Sequence, residues 1–287
     1  MTSTEFDPIA FKSKQRADWN AMSPGWEAER DGFERGAASV TARLLDLGGV
    51  RPGQAVLDVA TGQGEPALSA ARVVGPTGRV VGVDIAPAML EIARRRAAGL
   101  DNVEFVEGDL ETLGQPAASF DVVLSRFGLM FAVDHVATFR ALARVLVPGG
   151  VLAAAVWGPP SAHLLSSAPN VIGERLELPP PSPDQPGPFS MSDPLRVTEE
   201  LAAAGFVEIS VTEHVAPFQF SSVEEYIRYN KTLLPPQFLQ MVRDRFGSAD
   251  DLETWDAVAR AAEQHADGDG TVRLPSTALC LRAVAPS

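Results

Sequence analysis

The apolar positions change rhythm three times along the chain. Through about residue 45 they fall at helical spacing, with Trp19 and Trp26 on either side of Met22-Ser23-Pro24-Gly25. A second helical segment, Phe33 to Leu47, is closed by Pro52-Gly53. Short β-branched runs and helix formers then alternate. Ala55–Val59, Arg79–Asp84, Val103–Val106, Phe120–Leu124 and Val151–Trp157 read as strands, with helices over Ala67–Val74, Pro87–Gly99 and Val136–Leu146, the last stopped by Pro148-Gly149-Gly150. This alternation predicts βαβ units on a parallel sheet, and right-handed crossovers make that sheet doubly wound, with ligands beyond the carboxyl ends of its strands.

After Trp157 the rhythm breaks. Ten prolines fall from Gly158 to Pro194, including Pro179-Pro180-Pro181, which argues against regular helix or central strand and for a long ordered loop at the ligand edge. A helix over Leu195–Ala204, one long strand or two shorter ones over Phe206–Phe220, helical structure from Val223 to about Gln264, and a last strand over Thr277–Ala283 complete the pattern. The expected fold is α/β: a Rossmann-like, doubly wound, mostly parallel sheet with a helical N-terminal lid and cap insertions. Its expected parts are a lid over residues 1–45 and a domain over 46–287, carrying a proline-rich insertion at 158–193 and a helical cap insertion at 221–270.

Composition narrows the partners. The 287 residues carry 24 basic and 37 acidic side chains, a net charge of −13, which repels nucleic acid and acidic lipid surfaces. The single cysteine, Cys280, excludes an internal disulfide and a multi-cysteine metal site, and its neighbours Ala278, Leu279 and Leu281 mark it as a buried apolar thiol. The start, from Met1 to Asp7, lacks a basic run followed by an apolar one. The apolar run Val151–Trp157 is far short of the roughly 20 residues that span a bilayer. A cytoplasmic protein is expected, with a homodimer kept open.

The chemistry concentrates in Val56-Leu-Asp58-Val-Ala60-Thr61-Gly62-Gln-Gly64-Glu-Pro-Ala67. A strand that ends in a glycine turn and opens a helix lets a ligand touch bare backbone and free amide hydrogens. Gly62-x-Gly64-x-x-Ala67 also satisfies a dinucleotide fingerprint, with Asp84 where a ribose-binding acid belongs. The 26-residue step from Asp58 to Asp84 does not separate the two readings. Two further acids do. Asp58 stands just before the loop, and Asp109 follows Asp84 by another 25 residues. Acids at three successive strand ends suit a ligand bearing an ammonium, a sulfonium, ribose hydroxyls and an amino-purine better than one bearing two phosphates.

The run Val56–Trp157 resembles the class I S-adenosylmethionine-dependent methyltransferases, in the branch of the ubiquinone/menaquinone C-methyltransferases and natural-product small-molecule methyltransferases. The resemblance implies that Asp58 and the backbone from Ala60 through Thr61 and Gly62 to Gly64 hold the methionyl part of the cofactor. It further implies that Asp84 binds the ribose hydroxyls, Ile85 and Met89 pack on the adenine, and Asp109, after Gly108, accepts from its amino group with Leu110 on its face. Ser125-Arg126-Phe127-Gly128 is implied to lie beside the methyl. Gly62-Gln-Gly64-Glu departs from the family where many members have a third glycine.

A methyl acceptor needs alignment, exclusion of water and, for some nucleophiles, removal of a proton. His163, in the proline-rich insertion, is the first candidate base, with Arg126 and Tyr229 as further catalytic candidates. Tyr226 and Tyr229 share a helix face. The four histidines show no metal-ligand spacing, so no metal is expected. Phe189, Met191, Phe218, Phe220, Leu233, Leu234, Phe238 and Met241 suggest an apolar pocket for a small hydrophobic acceptor, with the methylated atom (O, N or C) open. Two alternatives stand beside methyl transfer: a fold that holds the cofactor without methylating, as a cyclase or partner-binding module, and an NAD(P)-dependent oxidoreductase.

Overall fold

The computed structural model describes residues 6–180, 182 and 184–287. The start Met1–Glu5 and two prolines of the insertion, Pro181 and Pro183, lie outside them. Helix α1 (Pro8–Ala28) begins at Asp7, whose carboxylate accepts from Ile9 N at 2.9 Å and Ala10 N at 3.2 Å. The helix runs through Pro24. Proline has no N–H for the Asn20 carbonyl, and the Ser23 hydroxyl donates to that oxygen instead, at 2.9 Å. Helix α2 (Arg30–Gly48) ends on Gly49 in the left-handed conformation.

Strand β1 (Ala55–Val59), helix α3 (Ala67–Val74), strand β2 (Arg79–Asp84), helix α4 (Pro87–Arg96) and strand β3 (Val103–Glu107) form one half of the sheet. Strand β4 (Phe120–Arg126), helix α5 (His135–Val145), strand β5 (Leu146–Trp157), strand β6 (Val207–Phe220) and strand β7 (Val272–Val284) form the other. The strand order is β3-β2-β1-β4-β5-β7-β6, with β7 antiparallel to both neighbours. The sequential order of the strands reverses between the parallel neighbours β1 and β4, where a doubly wound sheet opens a crevice at the carboxyl ends. The expected sheet is therefore present.

Three local expectations change. Pro148-Gly149-Gly150 lies within β5, because pairing with β4 steps from Phe120–Leu146 to Val122–Val151 and accommodates the turn as a bulge. The proline-rich stretch contains helix α6 (Ser167–Arg175). Pro169 is tolerated there because the first turn has no partner for its missing N–H. β7 starts at Val272 and passes through Pro275, which lies beyond the last β5 pairing at Ala278 and leaves no ladder bond on that side unmade.

Helix α7 (Pro194–Ala203) precedes β6, and helices α8 (Val223–Leu233), α9 (Pro236–Phe246) and α10 (Leu252–Glu263) follow it. The Tyr226 hydroxyl ties α8 to α6: it pairs with Ser167 Oγ at 2.7 Å, accepts from Ala168 N at 3.0 Å and lies 3.1 Å from the Leu165 carbonyl. No described helix is long and apolar enough to cross a membrane.

Candidate active site

One cleft with about 1120 Å³ of empty space, part of it open to solvent, lies across the carboxyl ends of β3, β2, β1 and β4, beneath α1. Its floor is built by the glycine turn after β1. Thr61 N donates to the Val83 carbonyl at 3.0 Å and Gly62 N donates to Asp84 Oδ2 at 2.8 Å, so the turn is fastened to the end of β2. Gly62 has φ +53°, and no atom lies within 4 Å of where a Cβ would stand, which leaves its backbone bare towards a ligand. Asp84 Oδ1 accepts from Ala86 N at 2.9 Å, and burial raises its carboxyl above the ordinary range against these bonds.

Ala60, Thr61, Gly62, Asp84, Ile85, Met89, Gly108, Asp109, Leu110 and Arg126 all line this cavity. Three other expected residues do not. Asp58 is fully buried beneath the loop, where its Oδ2 accepts from Thr61 Oγ1 at 2.5 Å and Ala67 N at 3.0 Å. Its Oδ1 has no partner, and burial pushes the carboxyl up to about 7. Gly64 packs on Leu68 and Ala93. Ser125 points away from Arg126, as alternate strand residues must, and donates to the Val59 carbonyl at 2.9 Å. All three shape the loop from behind.

At the β3 end, Lys12 of α1 reaches Asp109 Oδ2 at 2.7 Å and Glu111 Oε2 at 2.8 Å. Asp109 Oδ1 accepts from Glu111 N at 2.9 Å and Glu111 Oε1 from Val133 N at 2.5 Å. At the β4 end, Arg126 pairs bidentately with Glu34 of α2, at 2.7 and 2.8 Å, and donates to Thr41 Oγ1 at 2.7 Å. Its guanidinium lies 5.7 Å from the centre of the Phe33 ring. Aromatic rings connect the two ends: Trp19 packs on Phe131 at 5.5 Å and Trp26 at 6.1 Å, and Trp26 on Phe33 at 5.0 Å. Phe127 holds a left-handed φ of +62°, a strained conformation for a non-glycine residue, and stacks on Trp157 at 3.7 Å.

The candidate bases fare differently. His163 is buried between Trp157 and Phe189, at 4.2 and 5.5 Å between ring centres, with Nδ1 2.6 Å from Ser166 Oγ and Nε2 unpartnered. Burial lowers it to about 4, and it does not line the cavity. Tyr229 is buried against Phe220, where desolvation raises its hydroxyl well above the ordinary tyrosine range, and it is also away from the cavity. The eight apolar residues expected to form the pocket do not line it either. Phe218 stands behind Phe33 at 5.5 Å and Phe189 behind His163, so these segments back the wall. The wall itself uses residues with no signal of their own in the sequence: Phe11, Lys12 and Gln15 on α1, Phe33 and Glu34 on α2, and Gln63, Glu65 and Glu111.

Residues 56–150 match the family model described as a methyltransferase domain. The ubiquinone/menaquinone biosynthesis C-methyltransferase of Pseudomonas putida is 37% identical over 168 residues, 56% of this chain. The match spans 65% of that relative's own length. Among solved structures, the [4+2]-cyclase SpnF superposes with a TM-score of 0.52 at 20% identity, over 88% of this chain and 82% of that one. A Haemonchus contortus phosphoethanolamine N-methyltransferase, in complex with S-adenosyl-L-methionine, gives 0.52 at 20% identity, over 86% of this chain and 52% of that one. Sequence and fold thus point the same way: residues 56–150 are similar to methyltransferase domains, and the whole sheet shares the fold of these solved structures.

Proposed function

We propose that the chain transfers a methyl group from S-adenosylmethionine to a small hydrophobic acceptor. The observation that carries this reading is the continuity of one cavity, from two strand-end acids over a bare glycine backbone to a wall of aromatic rings. Asp84 would accept from the ribose hydroxyls, and Ile85, Met89 and Leu110 would pack on the adenine. Asp109 keeps lone pairs for its amino group while it holds Lys12. The bound cofactor supplies an electrophilic methyl on a sulfonium. The chain's own part is to align the acceptor with that methyl and to exclude water, with α1 as the lid.

Charge supports this over a dinucleotide. Among the described lining residues the acids Glu34, Glu65, Asp84, Asp109 and Glu111 outnumber the bases Lys12 and Arg126, an excess that suits a cation and disfavours a pyrophosphate. Calorimetric titration with S-adenosylhomocysteine, NAD+ and NADP+ tests the reading. S-adenosylhomocysteine binding that Asp84→Ala weakens at least tenfold supports it, since a charged hydrogen bond contributes about 1.5–3 kcal/mol. Binding of NAD(P) in its place overturns it.

A further inference from the structure

We infer that the methyl acceptor is an uncharged, flat ring compound with an oxygen at its edge, and that the indole N–H of Trp26 selects it by donating to that oxygen; this rests on the methyl-transfer reading above. Trp26 lines the cleft, and its Nε1 is buried without a hydrogen-bond partner among the described residues. Burying an N–H in that state is unfavourable, and most such groups in folded proteins are paired. Two other indoles of this chain are: Trp19 Nε1 donates to Gln15 Oε1 at 3.1 Å and Trp255 Nε1 to the Ala249 carbonyl at 2.9 Å. The rings packed on Trp26 are those of Trp19 and Phe33, which have no oxygen to share with a bridging water. A second unpartnered atom on the same wall, Gln63 Oε1, is an acceptor, yet the two do not pair. Each is left for a ligand. Gln63 stands in the glycine turn, on the methyl donor's side, and Trp26 stands among the rings.

A donor calls for an acceptor atom, and charge decides which kind. Lys12 is paired with Asp109 and Glu111, and Arg126 with Glu34. A carboxylate or other anion at Trp26 would meet the acidic excess of the wall with both of these cations already engaged. A carbonyl or ether oxygen brings no charge into that field and still completes the N–H. The surface around it sets the rest of the molecule. Trp19, Trp26, Phe33, Phe127 and Phe131 all line the cleft, with Trp26 edge-on to Phe33 at 5.0 Å and Trp19 edge-on to Phe131 at 5.5 Å. Such rings bury a flat conjugated body and leave its polar edge to be read.

Discrimination then falls to one group. A hydrocarbon of the same outline would stack on the same rings but leave the indole N–H unpaired, so the rings give affinity and the N–H gives selectivity. Trp19, the other indole in the wall, has its N–H on Gln15. Trp26 is therefore a specificity-determining residue for the proposed reaction.

The probes are chromone and naphthalene, flat bicyclic molecules of like outline, of which only the first carries oxygen. Both are titrated into the full chain loaded with S-adenosylhomocysteine, for the parent and for Trp26→Phe, which keeps an aromatic ring and removes the N–H. The reading is the ratio of the two affinities, because the probes' difference in hydration cancels between parent and variant. That ratio is expected to fall roughly tenfold in Trp26→Phe, with circular dichroism confirming the fold. In the parent, the proton–nitrogen spectrum shows the Trp26 indole directly, assigned by its loss in Trp26→Phe or, should that variant not fold, in Trp26→Tyr. Chromone is expected to shift that signal downfield in the loaded chain, whereas naphthalene and S-adenosylhomocysteine alone are not. A ratio changed by less than about twofold, a full downfield shift with S-adenosylhomocysteine alone, or a chain that binds S-adenosylhomocysteine yet neither probe overturns the inference alone. A chain that binds no S-adenosylhomocysteine removes the underlying reading with it.

Discussion

Lys12 and Asp109, 97 positions apart in the chain, meet at 2.7 Å and fasten the first turns of α1 to the end of β3. Further along the helix, Asn20 Oδ1 accepts from Ala88 N at 3.0 Å and Glu27 pairs with Arg95 at 2.8 Å, while Arg16 pairs with Glu107. Helix α1 is thus held along one side by polar contacts at partly exposed positions. Lys12→Met removes the innermost of them, a pair in which both side chains are about a quarter exposed, worth about 1 kcal/mol. Hydrogen exchange in residues 8–20 is expected to quicken roughly fivefold, with the sheet unchanged. Unaltered exchange there removes Lys12 as a fastener.

Arg126 is 5% exposed and Glu34 24%, so the bidentate pair is largely withdrawn from water. Glu34→Gln leaves the guanidinium without its counter-charge and is expected to cost about 2–3 kcal/mol in urea unfolding. Adding Arg126→Met to that variant should recover a good part of the loss. A double variant as unstable as the single one contradicts the account.

His163 titrates at about 4 in the fold against 6.5 when unperturbed, because burial disfavours its charged form. Between those values the unfolded chain binds the extra proton. The stability that this site confers is therefore complete above about 6.5 and is lost as pH falls through that window towards 4, to a total of about 3 kcal/mol. In thermal unfolding, His163→Phe should narrow its deficit relative to the parent as pH drops. A pH-independent difference rules the mechanism out. Asp58 acts in the opposite sense, since its raised carboxyl favours the fold at low pH and loses that contribution as pH rises through about 7.

A Cβ added to Gly128 would stand 2.3 Å from the Ala60 Cβ. Gly128→Ala should therefore push the turn after β1 out of position. The expected result is S-adenosylhomocysteine binding weakened at least tenfold, about 1.4 kcal/mol, with the unfolding midpoint nearly unchanged. Calorimetry on the folded variant decides it.

The strand-end part of the site is legible in the sequence because it is set by local rules. A βα step of about 25 residues brings Asp84 and Asp109 to neighbouring strand ends, and a glycine turn must follow the first strand. Strand alternation also carries the information that Ser125 and Arg126 face opposite sides, a signal that the motif hides when its four residues are taken together. The rest is tertiary. Nothing in the spacing of α1 marks Lys12, because its partners come from the far side of the sheet. The prolines around His163 place it correctly at the ligand edge, but its direction is decided by Trp157 and Phe189, which draw the ring inward.

Helix α1 runs the length of the cavity, with Lys12 at the β3 end and Trp26 beside Phe33 at the other, while Asp84, Asp109 and the glycine turn stand on sheet loops. On the methyl-transfer reading, acceptor and donor would thereby be recognised largely by separate stretches of polypeptide. On the proposed methyl-transfer reading, an exchange of residues 19–33 between homologues is expected to change the acceptor while the loops after β1, β2 and β3 keep the methyl donor. New chemistry in such a scaffold starts at its N-terminal helix.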